Sequence, residues 1–164
     1  MMKKKMGLLI AVLTTAISLQ AQDKGLYDPA ANAEKDLAYT IMVAKSQNKH
    51  VLIQAGGNWC VWCMRFEAFV KSDSAINSVV QKNYIVYHLN WSKENENKKT
   101  FAKYGFPQRF GFPVFIILNS KGERLHTQNS EYLEEGKTYS TARVKAFLEM
   151  WTPRSIDPSL YGPL

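Results

Sequence analysis

At 164 residues, with a net charge of +7 and a hydrophobic share of 46%, the chain has room for one domain and the composition of an ordinary globular protein. No collagen-like, acidic or low-complexity bias is present, which excludes fibrous and disordered classes. Nucleic-acid binding is excluded too, because Lys98 and Lys99 sit among Glu94, Glu96 and asparagines, and no basic stripe is interleaved with aromatics.

The first feature in chain order is a targeting segment. Lys3, Lys4 and Lys5 precede an apolar run from Gly7 to Ile17, and Ser18-Leu19-Gln20-Ala21 offers a cleavage site, so residues 1–21 read as a signal peptide. Leu19 is larger than the residue preferred three places before a cut, which leaves the boundary free to move a few residues. The run is shorter than the roughly 20 residues that cross a bilayer, and no cysteine stands nearby to carry a lipid. Cleavage takes away three of the 21 basic residues and none of the 14 acidic ones, lowering the charge from +7 to +4. The expected product is a soluble monomer, periplasmic or secreted.

A domain over residues 22–151 and a proline-containing tail over 152–164 are expected. From Asn32 to Lys49, Ala33, Leu37, Ile41 and Ala44 recur at helical spacing. His50 to Gln54 is a short apolar run ended by Gly56-Gly57, which suits a buried strand and a turn. Cys60 to Val70 and Ser74 to Gln81 read as helices, Tyr84 to Leu89 as a strand, and Asn95 to Tyr104 as a polar helix stopped at Gly105. Pro113 to Leu118 and Glu123 to Thr127 flank Asn119-Ser120-Lys121-Gly122, a hairpin signal, and Thr141 to Trp151 closes the domain as a helix. The order α, β, α, α, β, α, β, β, α predicts an α/β fold, a central mixed β-sheet flanked by helices.

Cys60 and Cys63 are the only cysteines. If a helix starts at Cys60, residues three apart share a face, so the sulfurs can join as a disulfide and part as a dithiol. Cys60 then lies at the helix N-terminus, where unpaired N–H groups favour a thiolate, which makes it the nucleophile and Cys63 the resolving cysteine. A passive staple is the plainer alternative. So short a loop restricts the unfolded chain by only about 2 kcal/mol, against about 3 for fifteen residues, so redox chemistry is favoured. A zinc site is disfavoured because His50, His88 and His126 lack ligand spacing, and no metal or other cofactor is called for.

Trp59-Cys60-Val61-Trp62-Cys63 after an apolar strand, with Gly111-Phe112-Pro113 before Val114 to Leu118, resembles the thioredoxin-like family over about residues 32 to 151. The likeness is to small exported bacterial members and to the C-terminal thioredoxin domain of the transmembrane reductase DsbD in particular. It implies a thioredoxin-like fold and a thiol-disulfide oxidoreductase of the protein-disulfide reductase or isomerase type, serving cell redox homeostasis. It also implies a cis peptide before Pro113, where the Phe112 backbone is offered to an extended substrate, with Trp59 and Trp62 as an apolar collar. Protein substrates bearing disulfides or thiols are the implied partners, and an envelope electron donor of DsbD type the implied source of electrons. Two departures stand out. Gln54 occupies the position of the family's buried carboxylate, with His88 in place of its partner lysine, so the two form a candidate proton relay in which only His88 titrates. Val114 replaces a threonine after the proline. The alternative is a non-catalytic thioredoxin-fold binding module with a structural disulfide.

Overall fold

The computed structural model describes residues 25–162, so the signal peptide expected over 1–21 lies outside the described residues. Helix α1 (Ala33–Ser46) starts where the Asn32 side chain accepts from the Lys35 N–H, and it leads into β1 (His50–Gly56). Helices α2 (Val61–Ser72) and α3 (Ser74–Asn83) meet at Asp73, whose carboxylate caps the N-terminus of α3 through the N–H groups of Ala75 and Ile76. Strand β2 (Tyr84–Asn90), helix α4 (Lys98–Lys103), and strands β3 (Val114–Leu118) and β4 (Arg124–Asn129) follow. A two-residue pair, β5 (Glu134–Glu135) and β6 (Thr138–Tyr139), precedes α5 (Thr141–Met150).

The main sheet has the order β2-β1-β3-β4, with β1 parallel to β2 and the other two pairs antiparallel. A central strand hydrogen-bonded on both sides must present apolar residues to both faces, and β1 is buried at all seven positions. Its alternation divides the core. Val51, Ile53 and Ala55 face α1 and α4 with Ile116, Leu118 and Phe101, while Leu52 faces α2, α3 and α5 with Phe115, Ile117, Ile76 and Leu148. The mixed sheet flanked by helices is the expected architecture.

One local expectation changes, and two features are added to the expected ones. Helix α4 begins at Lys98 rather than Asn95, because Asn95 donates to the carbonyls of Pro29 and Ala31 and Asn97 takes a left-handed conformation, φ 47°. Those side chains build a loop that ties the β2–α4 connection to the start of α1, and a helix would break it. The β5–β6 pair escapes a periodicity reading because two residues per strand hold no pattern. The start of the tail is engaged, with the Trp151 carbonyl against His50 Nδ1 at 2.8 Å and Thr152 hydrogen-bonded to Ser155.

Candidate functional site

Strand β1 ends at Gly56, and the chain turns through Gly57, Asn58 and Trp59 into α2. Cys60 is the N-cap, in extended conformation, and its sulfur accepts the Cys63 N–H at 3.2 Å. A sulfur there stands among the first unpaired N–H groups of the helix, where negative charge is favoured. The two cysteines are joined in a disulfide with their Cα atoms 5.2 Å apart. Cys63 is wholly buried, whereas Cys60 keeps 4% exposure.

The Phe112–Pro113 peptide is cis, and Phe112 packs against the cluster formed by Tyr27, Cys60 and Cys63. Trp59 is 58% exposed, yet it is fixed: its indole N–H donates to the Trp91 carbonyl at 2.7 Å and its ring meets Phe112 edge-on at 5.6 Å. Gly57 makes room, since a Cβ there would strike the indole and the Trp91 carbonyl. Trp62, by contrast, is part-buried against Tyr139, whose hydroxyl donates to the Trp62 carbonyl, and it carries the Arg65 guanidinium over its ring at 4.7 Å.

A polar layer lies beneath. Gln54 Nε2 donates to the Cys63 carbonyl at 3.0 Å and to the Tyr27 hydroxyl at 2.9 Å, so its amide holds the backbone of Cys63 rather than its sulfur. His88 is in register with Gln54 on the neighbouring strand, with Nε2 3.5 Å from Glu67 Oε2 and its ring edge-on to Tyr27 at 5.5 Å. Burial pushes the His88 pKa down, against the pull of the Glu67 carboxylate, so the ring is neutral near pH 7. Among the described residues, no group of three His, Cys, Asp or Glu side chains is arranged to hold a metal ion. No helix among them is long and apolar enough to cross a membrane.

A family model described as thioredoxin-like matches residues 32–120, more than half of the chain. The chain belongs to the thioredoxin-like family. Solved structures share its fold. A disulphide isomerase from Xylella fastidiosa Temecula1 superposes with a TM-score of 0.66 at 22% identity, over 76% of this chain and 94% of the other. The C-terminal domain of Neisseria meningitidis DsbD in its oxidised form gives 0.52 at 16%, over 73% and 96%. A thioredoxin from Thermus thermophilus gives 0.52 at 17%, over 69% and 81%. No curated protein matches the chain in sequence.

Within this thioredoxin-like site the structure gathers Trp59, Cys60, Cys63 and Phe112 beside the cis Pro113, and Gln54 and His88 beneath them. Trp62 lies against the β5–β6 pair as much as toward the cysteines. Sequence reading missed Tyr27, Asn58, Gly56, Glu67 and Trp91. Glu67 was findable, one helical turn beyond Cys63 on the same face. Tyr27 was not, since it arrives from an aperiodic segment 27 residues away from the Gln54 it meets.

Proposed function

We propose that the protein is an exported thiol-disulfide oxidoreductase that reduces or exchanges disulfides of protein substrates. The observation that carries the reading is Cys60 at the α2 N-cap, slightly exposed and bonded to a fully buried Cys63. In the dithiol form the Cys60 thiolate attacks a substrate sulfur. A Cys60–substrate disulfide forms, the substrate disulfide breaks, and its second sulfur leaves as a thiolate and is protonated. Cys63, deprotonated, then attacks Cys60 Sγ and expels the remaining substrate sulfur, so the substrate gains two electrons and the Cys60–Cys63 disulfide returns. An envelope electron donor of DsbD type restores the dithiol.

Trp59, Trp62, Phe112 and Pro113 form the surface that receives the extended substrate, whose backbone pairs with that of Phe112. Gln54 steadies the Cys63 carbonyl, and neutral His88 takes the proton that Cys63 releases. The test is trapping. Cys63→Ser should accumulate mixed disulfides with exported proteins and Cys60→Ser should not, and the unaltered protein should reduce insulin. Equal trapping by the two variants would remove the role assignment. Absence of insulin reduction would leave a binding module with a structural disulfide.

A further inference from the structure

Tyr27 belongs to the segment before α1, yet it is fully buried beneath the cysteine pair. Its backbone is clamped to the turn that delivers Cys60: the Tyr27 N–H donates to Asn58 Oδ1 at 3.0 Å, and Asn58 Nδ2 donates to the Tyr27 carbonyl at 2.8 Å. Gln54 Nε2 must donate to the Cys63 carbonyl, which can only accept, and this fixes the amide orientation. The second amide hydrogen therefore goes to the Tyr27 oxygen, and the tyrosine's own hydrogen points elsewhere. Gly56 identifies the direction. A Cβ on Gly56 would stand 2.3 Å from Cys63 Sγ and 2.9 Å from the Tyr27 hydroxyl, so the sulfur and the oxygen border one spot that only glycine leaves open.

We propose that the Tyr27 hydroxyl is the hydrogen-bond donor to the Cys63 thiolate during disulfide exchange, a role that rests on the exchange reading above. When an incoming thiolate attacks Cys60 Sγ, the new S–S bond forms there and the Cys60–Cys63 bond breaks. The electron pair stays on Cys63 Sγ, and the Tyr27 O–H points at that charge while keeping its proton. The same bond lowers the basicity of Cys63 before it attacks in the reverse direction. Burial holds the phenol well above its ordinary pKa, which keeps it a donor across the working range. The other titratable groups facing it are Glu67 on α2, His88 on β2 and Tyr139 on β6. Glu67 is held by Lys71 at 2.9 Å, and the Tyr139 hydroxyl is turned to the Trp62 carbonyl.

The experiment uses Cys60→Ser, in which Cys63 is the lone thiol and serine preserves the helix cap. Adding Tyr27→Phe should raise the Cys63 pKa, read by thiolate absorbance, by about one unit or more, as expected for a hydrogen bond to a charged group. With both cysteines present, Tyr27→Phe should slow attack by reduced glutathione about tenfold. An unchanged Cys63 titration overturns the assignment, even where exchange proceeds normally. An unaltered protein that fails to exchange with glutathione or insulin overturns the exchange reading instead, and the titration still reports on Tyr27. Should Tyr27→Phe not fold, the Tyr27 hydroxyl proton resonance in Cys60→Ser should shift as Cys63 ionises, and a resonance indifferent to that ionisation also overturns the assignment.

Discussion

Gly56→Ala tests how tightly the site is built, because the added methyl must enter space shared by Cys63 Sγ and the Tyr27 hydroxyl. The backbone cannot yield easily. Gly56 is paired with Asn90 in the parallel ladder, and its carbonyl accepts the Trp91 N–H at 2.5 Å. Two routes of relief remain. Expelling Tyr27 would re-expose an aromatic side chain that buries about 150–250 Å², a loss of roughly 4 to 6 kcal/mol. Shifting the first turn of α2 is ordinary overpacking, typically about 1 to 3 kcal/mol, and so wins. The oxidised protein should then melt lower by about 4 to 12 °C, taking about 4 °C per kcal/mol for a domain of this size. The reduced protein should suffer less, because an unbonded Cys63 can rotate its sulfur away whereas the disulfide holds it in place. A penalty confined to the oxidised form makes the disulfide easier to reduce by up to roughly 20 to 65 mV. Thermal unfolding of both forms, with equilibration in glutathione buffers, measures each quantity. An unchanged oxidised melting point, or equal losses in the two forms, would refute the geometry.

Acid should destabilise the protein ahead of any carboxylate titration. Burial lowers the pKa of both His50 and His88 below the unfolded value near 6.5, so the unfolded chain binds more protons below that pH; this stability is complete above about pH 6.5 and is lost as pH falls. The limiting slope for His88 is about 1.4 kcal/mol per pH unit, and His88→Gln should flatten the fall in melting temperature between about pH 7 and 5; a profile identical to that of the unaltered protein would make His88 irrelevant to it. Trp59→Ala should slow reduction of an unfolded polypeptide by about three- to tenfold and leave exchange with glutathione nearly unchanged, because the exposed ring offers area only to a large substrate. Equal slowing with both substrates would show that Trp59 acts on the cysteines instead.

How much of this could be read from the sequence depended on the range of the interaction. The β1 strand, the Cys60 cap and the hairpin around Gly122 are local, each signalled by apolar alternation, a three-residue spacing or a turn residue, and they emerged within a few residues of their expected bounds. Gln54 and His88 stand in register on neighbouring strands, a juxtaposition that came from the family resemblance and not from any local pattern of the chain. The underside of the site was not legible. Tyr27 reaches Gln54 through a segment with no period, and Trp91 reaches Trp59 through a backbone carbonyl, which leaves no mark on side-chain identity. Gly56 looked like the end of a strand, whereas its smallness serves a sulfur seven residues later and a ring from before α1.

The direction of electron flow follows from how strongly the reduced Cys60 thiolate is stabilised. A strong oxidant of the DsbA kind holds its thiolate pKa near 3.5, about five units below a free thiol, which demands roughly 7 kcal/mol of stabilisation; thioredoxin, near 7, needs only about 2. Here the sources can be counted on the structure. The Cys63 N–H already points at Cys60 Sγ and would become a charge-assisted bond worth about 1.5 to 3 kcal/mol, and the α2 terminus adds about 0.3 to 1. Between the cysteines, Val61 is largely exposed and Trp62 is turned against Tyr139, so neither supplies charge. Arg65, the nearest cation along the helix, spends its guanidinium on the Trp62 ring. The total, about 2 to 4 kcal/mol, matches the thioredoxin requirement and falls well short of the DsbA one. The couple should therefore lie nearer about −270 mV than −120 mV, as a reductant or isomerase-side carrier that an envelope donor must recharge. Equilibration with glutathione buffers of known ratio, followed by the fluorescence of Trp59 and Trp62, gives the value. A potential as oxidising as that of DsbA, with Cys60 ionised well below about pH 5, would refute this count and make the protein a donor of disulfides instead.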